Sequence, residues 1–136
     1  MDVRREAKTG RVHSVLLIDD DPTEAELLRS ARDSAGIACD IHYAESGSEG
    51  LAQCGALSPD LVLVDLNMPG KSGFEVIAEI TALPSRPPQI AAFSTSRSED
   101  DRKRALEAGA CLYRSKPRTL EEYVAFIKET CGGADR

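Results

Sequence analysis

A chain of 136 residues is long enough for one domain with a sizeable core, so it needs neither disulfides nor a structural metal to fold. The net charge of −6 argues against wrapping nucleic acid, and no apolar run approaches the roughly 20 residues of a membrane span. The polar residues 1–13 lack the apolar core of a signal peptide, so we predict a cytoplasmic protein.

Four cysteines are spread along the chain at wide spacings, with no C-x-x-C pair. A zinc or redox site is therefore not predicted. In a reducing cytoplasm the simplest interpretation is that each cysteine is a small, buried apolar residue. They are Cys39, Cys54, Cys111 and Cys131.

Short apolar runs alternate with helical patterns five times along the chain. Residues 14–18 (SVLLI) and 60–65 (DLVLVD) are apolar in their middle, which is typical of strands that are buried on both faces. Residues 37–43 instead alternate apolar and polar side chains, which predicts a half-exposed strand at the edge of a sheet. Two further strands are predicted at residues 90–93 and 111–113.

Capping residues mark where five predicted helices begin and end. The first helix begins at Pro22 and stops at Gly36. The third ends before Pro84, and the fourth runs from Ser98 to Gly109. The second, third and last helices each begin with a Ser or Thr followed three residues later by Glu, the pattern of a capping box. These pairs are Ser46 with Glu49, Ser72 with Glu75, and Thr119 with Glu122.

Five strands, each followed by a helix, predict an α/β fold with a doubly wound parallel sheet. No internal repeat, low-complexity tract or linker divides the chain, so we predict one domain over residues 13–131. The two ends, residues 1–12 and 132–136, are predicted to be flexible tails.

Polar side chains stand at the carboxyl ends of four predicted strands. Ligands of open α/β sheets bind outside that edge, near the point where the strand order reverses. Asp21 is predicted only to cap the helix that follows it. The other residues at this edge are, in chain order, Asp19, Asp20, Asp65, Ser94 and Lys116.

Converging carboxylates repel one another, and a divalent cation relieves that repulsion. Oxygen ligands favour a hard ion such as Mg²⁺. An aspartate carboxylate can form a covalent acyl phosphate, and a transferring phosphoryl group needs positive charge and hydrogen-bond donors around its oxygens. Mg²⁺, the Lys116 ammonium and the Ser94 hydroxyl would supply them. The pattern therefore predicts phosphoryl transfer to an aspartate at this edge of the sheet.

Four stretches of the chain resemble the receiver domain of bacterial two-component response regulators. They are VLLIDDDP at 15–22, PDLVLVDLNMPGKSGFEV at 59–76, FSTS at 93–96 and EAGACLYRSKP at 107–117. The resemblance covers roughly residues 14–131. It implies a flavodoxin-like fold with five helices and a five-stranded sheet in the order 2-1-3-4-5.

The resemblance also implies a role for each matching position. Asp65 would be the phosphorylated residue, acting with Ser94 and Lys116. Ser94 and Tyr113 would form a switch, in which the tyrosine moves inward as the hydroxyl is drawn to the phosphoryl group. Pro117 would follow a cis peptide bond that aims the lysine. The Mg²⁺ ligands would be Asp19 (through a water), Asp20, Asp65 and the backbone carbonyl of Asn67.

Two other interpretations fail on particular residues. Gly70-Lys71-Ser72 resembles the end of a P-loop, but Asp65 stands where that loop requires glycine. A flavodoxin-type electron carrier needs a hydroxyl-rich phosphate loop after the first strand, where this chain has three aspartates. A pseudo-receiver, which would bind partners without being phosphorylated, remains open as the alternative function.

About 20 residues follow Lys116, which leaves room for one helix and predicts a single-domain response regulator. Its expected partner is a sensor histidine kinase or a phosphotransfer protein. The kinase could be of the phytochrome type, to whose short response regulators the chain is similar, and a chemotaxis or phosphorelay role stays open. Its own catalysis would be limited to self-phosphorylation and autodephosphorylation. The resemblance implies that the signal emerges on the face of the fourth helix, fifth strand and fifth helix. We predict a homodimer through this face, where the apolar residues are Leu106, Tyr113, Tyr123 and Phe126.

Overall fold

The computed structural model describes residues 12–132, and its centre is a sheet of five parallel strands. The strands are β1 (Ser14–Ile18), β2 (Asp40–Ala44), β3 (Leu61–Val64), β4 (Gln89–Ser94) and β5 (Leu112–Ser115). Their spatial order is β2-β1-β3-β4-β5, so the predicted doubly wound sheet is confirmed. Apart from Val12 and Gly132, the predicted tails lie outside the described residues.

An α-helix follows each strand, as predicted. The helices are α1 (Pro22–Ala35), α2 (Gly47–Leu57), α3 (Gly73–Thr81), α4 (Glu99–Ala108) and α5 (Leu120–Ile127), with a π-helical turn over Lys128–Gly132. The Asp21 side chain accepts a hydrogen bond from the Thr23 N–H and caps α1, which ends where Gly36 takes the left-handed conformation with φ of 70°. Within residues 12–132, no helix has the length and apolar character to cross a membrane.

Only one of the three predicted capping boxes is complete. Ser72 and Glu75 exchange both hydrogen bonds at the start of α3. At α2 and α5 the cap hydroxyl binds as predicted, but the glutamate side chain accepts from the residue before the cap, Glu45 or Arg118. The cap residues there have φ of −147° and −125°, compared with −73° at Ser72. The more extended entry turns the N–H of the cap residue away from the glutamate.

Two apolar layers cover the two faces of the sheet. Alternate residues of β1 point to opposite sides, because successive side chains of a strand do so. Val15 and Leu17 join the layer under α1 and α5, whereas Leu16 and Ile18 join the layer under α2, α3 and α4. Val12 is also buried in the first layer. Burial on both sides explains why β1 and β3 are continuous apolar runs.

Strand pairing sets boundaries that differ from the predicted ones by one to three residues. The sequence predicted β2 at residues 37–43, but β2 begins at Asp40 because Asp40 pairs with Ser14, where β1 begins. Residues 37–39 have no β1 residue to pair with. In the same way, β5 runs over Leu112–Ser115 instead of residues 111–113, because it pairs with residues 91–94 of β4.

Side chains of two helices cover the free edge of β2, which was correctly predicted to lie at the edge of the sheet. The Asp40 N–H points towards β1 and donates to the His13 carbonyl. Because successive residues of a strand direct their backbone groups to opposite sides, the carbonyls of Cys39 and Ile41 point away from β1. Each outward carbonyl accepts from a long side chain: Cys39 from Arg32 at 2.9 Å, Ile41 from Arg29 at 2.6 Å and Tyr43 from Gln53 at 3.1 Å. Covering these groups protects the edge against pairing with another chain.

Candidate functional site

Hydrogen bonds between strands hold three of the predicted site residues at one edge of the sheet. The N–H of Asp65 donates to the Ile18 carbonyl at 2.9 Å, one residue beyond the end of β3. The N–H of Asp19 donates to Ala44 at 3.0 Å, and that of Lys116 donates to Ser94 at 2.9 Å. The parallel ladder therefore continues past the strands and positions the backbone of each of these residues before its side chain enters the site.

Lys116 contacts carboxylates from three different places in the chain. Its Nζ lies 2.8 Å from Asp19 Oδ2, 3.7 Å from Asp65 Oδ1 and 3.9 Å from Glu24 Oε2. Asp19 is fully buried and Asp65 is 6% exposed. Lys116 is therefore a cation held among carboxylates that have little access to water, where charge interactions are stronger than at the surface.

Burial and the neighbouring charges shift the protonation of this cluster. Burial raises the pKa of Asp65, although Lys116 and the Asn67 N–H act in the opposite direction. Burial disfavours the Lys116 ammonium, but the Asp19 hydrogen bond and the charges of Asp65 and Glu24 outweigh it and hold the pKa of Lys116 above its usual value. Lys116 therefore keeps its charge throughout the neutral range.

The predicted metal-binding carboxylates come together in space. Asp19, Asp20 and Asp65 each offer a carboxylate oxygen, and these oxygens all lie within 4.8 Å of one another. Two unit charges about 4 Å apart interact by ~4 kcal/mol at an effective dielectric of about 20. Asp20 is exposed, whereas the other two are buried, so the cluster opens to solvent on one side. A hard cation fits this set of oxygen donors.

Asn67 lies beside the same cluster. Its N–H donates to Asp65 Oδ1 at 3.2 Å, which orients the carboxylate, and its side chain is exposed. The segment after β3 packs tightly against α3, because a Cβ on Gly73 would lie 2.2 Å from the Asp65 carbonyl oxygen. The first residue of α3 thus supports the backbone of Asp65 directly.

The predicted switch residues, Ser94 at the end of β4 and Tyr113 in β5, contact the same loop after β4. Ser94 is fully buried, and its Oγ accepts a hydrogen bond from the Ser96 N–H at 3.0 Å. The half-buried Tyr113 donates its hydroxyl to the Ser96 carbonyl at 2.7 Å. The Ser96 hydroxyl in turn donates to Asp101 of α4 at 2.7 Å. The loop after β4 is therefore tied to both β5 and α4, and the proposed switch residues contact it together.

Sequence reasoning missed Glu24 and Tyr123 as parts of the site. The Tyr123 hydroxyl of α5 donates to Glu24 Oε1 of α1 at 2.8 Å, while Glu24 Oε2 faces Lys116. Burial raises the pKa of Glu24 despite the Tyr123 hydrogen bond and the Lys116 charge. Glu24 stands four residues after Asp20, in the first turn of α1, and that proximity was the signal available in the sequence. The partner of the Tyr123 hydroxyl, 99 positions away, had no local signal.

Two of the sequence predictions differ from the structure. The cis peptide before Pro117 is wrong for this structure: no cis bond occurs within residues 12–132, and Lys116 reaches Asp19 from a trans peptide, the form favoured by about 0.5–1 kcal/mol before proline. Tyr123 and Phe126 are buried at 3% and 5% exposure, so neither belongs to an exposed apolar face. They instead fill the layer between α5 and the sheet.

The segment that resembles a P-loop has structural contacts of its own. Ser72 caps α3, and Lys71 forms an ion pair with Glu79 at 2.8 Å. Gly70 takes a positive φ of 80°, which suits a turn. These contacts agree with the rejection of a nucleotide-binding loop.

A family model described as the response regulator receiver domain matches residues 15–128. The chain belongs to this family. Receiver domains are the phosphoryl acceptors of two-component systems, and they interact with histidine kinases or phosphotransfer proteins. The fold and the acidic edge described above are those expected of a receiver domain.

Individual relatives agree with this assignment. The transcriptional regulatory protein TrcR of Mycobacterium tuberculosis is 33% identical over 115 residues, which are 84% of this chain and 43% of TrcR. The receiver domain spans about half the length of the curated relatives it matches. The phosphorylated cyanobacterial phytochrome response regulator RcpA has a similar structure, with a TM-score of 0.75 and 25% identity over 88% of this chain and 94% of that one. The Mn²⁺-bound response regulator Rcp1 has a TM-score of 0.69 and 27% identity, over 86% of this chain and 90% of that one.

Proposed function

We propose that Asp65 is the phosphorylated residue and that it receives the phosphoryl group from a sensor histidine kinase or a phosphotransfer protein, in a Mg²⁺-dependent reaction. One observation carries this proposal. Asp65 lies 3.7 Å from the Lys116 ammonium and within 4.8 Å of the oxygens of Asp19 and Asp20. A carboxylate nucleophile, a fixed cation and a set of oxygen ligands thus meet at one sheet edge.

The reaction needs little covalent chemistry from the protein. A carboxylate oxygen of Asp65 attacks the phosphorus of a phosphohistidine, the P–N bond breaks, and the imidazole keeps the electron pair and takes up a proton. The Lys116 ammonium compensates charge on the phosphoryl oxygens, and the Ser94 hydroxyl donates to one of them. Asp19, Asp20, Asp65 and the Asn67 carbonyl would hold Mg²⁺, which when bound supplies further positive charge to those oxygens.

Ser94 and Tyr113 would convert phosphorylation into a change of shape. In this structure the Ser94 hydroxyl oxygen accepts from the Ser96 N–H, and the Tyr113 hydroxyl donates to the Ser96 carbonyl. When the Ser94 hydroxyl turns to the phosphoryl group, the Ser96 N–H loses its acceptor and the loop must rearrange. Tyr113 would follow that loop inward. The output is a phosphorylation-dependent protein interaction or onward transfer of the phosphoryl group.

Intact-mass spectrometry after incubation with acetyl phosphate and Mg²⁺ tests the proposal. We expect the addition of one phosphoryl group to the wild-type protein, and no addition in Asp65→Asn or in the presence of EDTA. Asp60→Asn is a matched control, because Asp60 binds the His13 and Ser14 N–H groups at the opposite end of the strand. Labelling that persists in Asp65→Asn would place the acceptor elsewhere.

The alternative, a pseudo-receiver that acts only as a scaffold, makes a different prediction. It would remain unlabelled by acetyl phosphate and also by a phosphorylated histidine kinase. Mg²⁺ titration of the wild-type protein and of Asp20→Asn adds a second criterion. Raised thermal stability with Mg²⁺ in the wild type alone supports a receiver that requires its own kinase, whereas no response in either protein supports the scaffold.

We further propose the cytoplasm as the location, because histidine kinases take their phosphoryl group from ATP.

A phytochrome-type kinase is the proposed partner. The support is the likeness to RcpA, which is itself described as a phytochrome response regulator. Phosphotransfer from a purified phytochrome-type kinase should be faster than transfer from a chemotaxis kinase at equal concentrations. Equal or reversed rates would refute this choice of partner.

A homodimer through the face of α4, β5 and α5 is the proposed assembly. Leu106 and Leu112 are large apolar residues on this face, and they are 37% and 39% exposed. Burying them against a second copy would remove apolar surface from water. Sedimentation velocity with and without acetyl phosphate should detect the dimer, and Leu112→Asp should weaken it. A monomer under both conditions contradicts the proposal.

A further inference from the structure

Two of the four cysteines lie in contact, although 92 positions separate them in the chain. The sulfur atoms of Cys39 and Cys131 are 3.3 Å apart, and the residues are 7% and 3% exposed. Cys39 immediately precedes β2, and Cys131 lies in the π-helical turn after α5. The sequence predicted each as a separate apolar residue, because their spacing gives no sign that they meet.

The environment of this pair favours thiol chemistry at one sulfur. Contact with Cys131 lowers the pKa of Cys39, and the charge of Arg32 acts in the same direction, against the opposing effects of burial and of the Asp40 and Asp60 carboxylates. The pKa of Cys131 is raised by the same contact and by burial. Arg32 also donates to the Cys39 carbonyl at 2.9 Å, so its charge is held beside this residue. Thiolate is the reactive form, and the Arg32 charge held beside Cys39 favours this residue as the nucleophile, with the contacting Cys131 as the second thiol.

We propose that Cys39 and Cys131 form an intramolecular disulfide when the protein meets a peroxide. The Cys39 thiolate attacks one peroxide oxygen, the O–O bond breaks, and the products are a sulfenic acid and hydroxide, which takes up a proton to give water. The Cys131 thiol then attacks that sulfur, the S–S bond forms, and the sulfenic oxygen leaves as a second water. One peroxide is reduced and two thiols are oxidised.

The geometry requires little rearrangement. A disulfide bond is about 2 Å long, so the two sulfurs must approach by roughly 1 Å. Both side chains belong to the apolar layer under α1 and α5, so no element has to leave the sheet. In reducing surroundings such bonds are typically transient and redox-sensing.

The other two cysteines differ and supply controls within the same chain. Cys54 is buried in the opposite layer, on the far side of the sheet, and burial raises its pKa to about 11. Cys111 is exposed, and its sulfur lies 3.4 Å from the Ile90 carbonyl. Neither can reach the Cys39–Cys131 pair within the folded chain, so oxidation confined to that pair would follow from its contact.

The bond would join the residue before the edge strand β2 to the π-helical turn after α5. Closing a loop this long restricts the unfolded chain, so the oxidised protein should have a higher Tm. It would also restrain α5, whose Tyr123 binds Glu24 beside Lys116. The disulfide does not depend on phosphorylation, and its test is independent of that proposal.

The test treats the full-length protein with hydrogen peroxide, unfolds it in denaturant, blocks the remaining thiols with N-ethylmaleimide and measures intact mass and non-reducing peptide maps. We expect two blocked thiols instead of four, a Cys39–Cys131 linked peptide, a raised Tm and full reversal by dithiothreitol. Cys54→Ser should behave like the wild type. Cys39→Ser and Cys131→Ser should both lose the linked peptide and the rise in Tm.

Circular dichroism of the reduced variants checks that each serine protein is folded. If Cys131→Ser does not fold, Cys131→Ala, which leaves no polar group unpaired, replaces it. Four blocked thiols after peroxide, a linkage that involves Cys54 or Cys111, or oxidation only to sulfinic acid would each overturn the proposal.

Discussion

The close contact between Gly73 and Asp65 predicts that Gly73→Ala will destabilise the protein and disturb the candidate site. A Cβ at position 73 would lie 2.2 Å from the Asp65 carbonyl oxygen and 2.5 Å from the Leu66 Cα. Both of these atoms belong to the backbone, so no side-chain rotation can relieve the overlap. The two segments would have to separate by roughly 1 Å, and overpacking of this kind costs about 1–3 kcal/mol.

A second effect of the substitution has the opposite sign. Alanine is favoured over glycine in a helix interior by up to about 1 kcal/mol, but Gly73 is the first residue of α3, where that preference is weaker. The steric term therefore dominates. We expect the free energy of unfolding to fall by about 2 kcal/mol. With a typical m-value of about 2 kcal/mol/M, the urea midpoint would fall by about 1 M.

Gly55→Ala is the matched control. Gly55 lies within α2, and a Cβ there would meet no atom within 4 Å, so alanine should stabilise the protein by about 0.5–1 kcal/mol. Urea unfolding of both variants, together with acetyl phosphate labelling, completes the experiment. Labelling should slow in Gly73→Ala and be unchanged in Gly55→Ala. Equal stability changes in the two variants would refute the reasoning from backbone contact.

Three further predictions use the same unfolding assay. Because burial raises the pKa of Asp65, ionisation of this group in the folded protein costs stability, and the cost grows as pH rises from 3.8 through the folded-state pKa. Asp65→Asn should therefore be more stable than the wild type at neutral pH and equally stable in acid. A loss of stability at neutral pH would contradict this. Tyr123→Phe should lower the free energy of unfolding by about 1–3 kcal/mol, because it removes the hydrogen bond to Glu24. The loss should be smaller in a Glu24→Gln background, and an equal loss in both backgrounds would exclude that contact as the cause. Arg29→Met should lower the free energy of unfolding by about 1 kcal/mol, because it uncovers the Ile41 carbonyl. The open edge of β2 should also increase self-association in size-exclusion chromatography, and an unchanged elution profile would mean that Arg29 does not protect the edge.

The sequence alone was sufficient for the order of elements and for most of the site. Apolar runs, helix caps and breakers are local signals, and the strands and helices they predicted are all present. Parallel strands end at the same edge, so polar residues at strand ends must converge there. Asp19, Asp20, Asp65 and Lys116 all follow strands in the sequence, and in the structure their charged groups lie together at this edge.

The tertiary structure decided the features that depend on distant partners. β2 begins at Asp40 because β1 begins at Ser14, although the alternating pattern extends back to residue 37. The contact between Tyr123 and Glu24 joins residues 99 positions apart. The Cys39–Cys131 contact likewise joins residues 92 positions apart.

The physical reason is the range of the interactions that set each feature. Caps and hydrophobic periodicity act within one or two turns, so their residues are neighbours in the sequence and can be recognised there. Which side chains meet across α1 and α5 depends instead on how whole elements pack, and close packing fixes those contacts only after the sheet has assembled. The sequence therefore determined the positions of the reactive groups, and packing determined which further residues contact them.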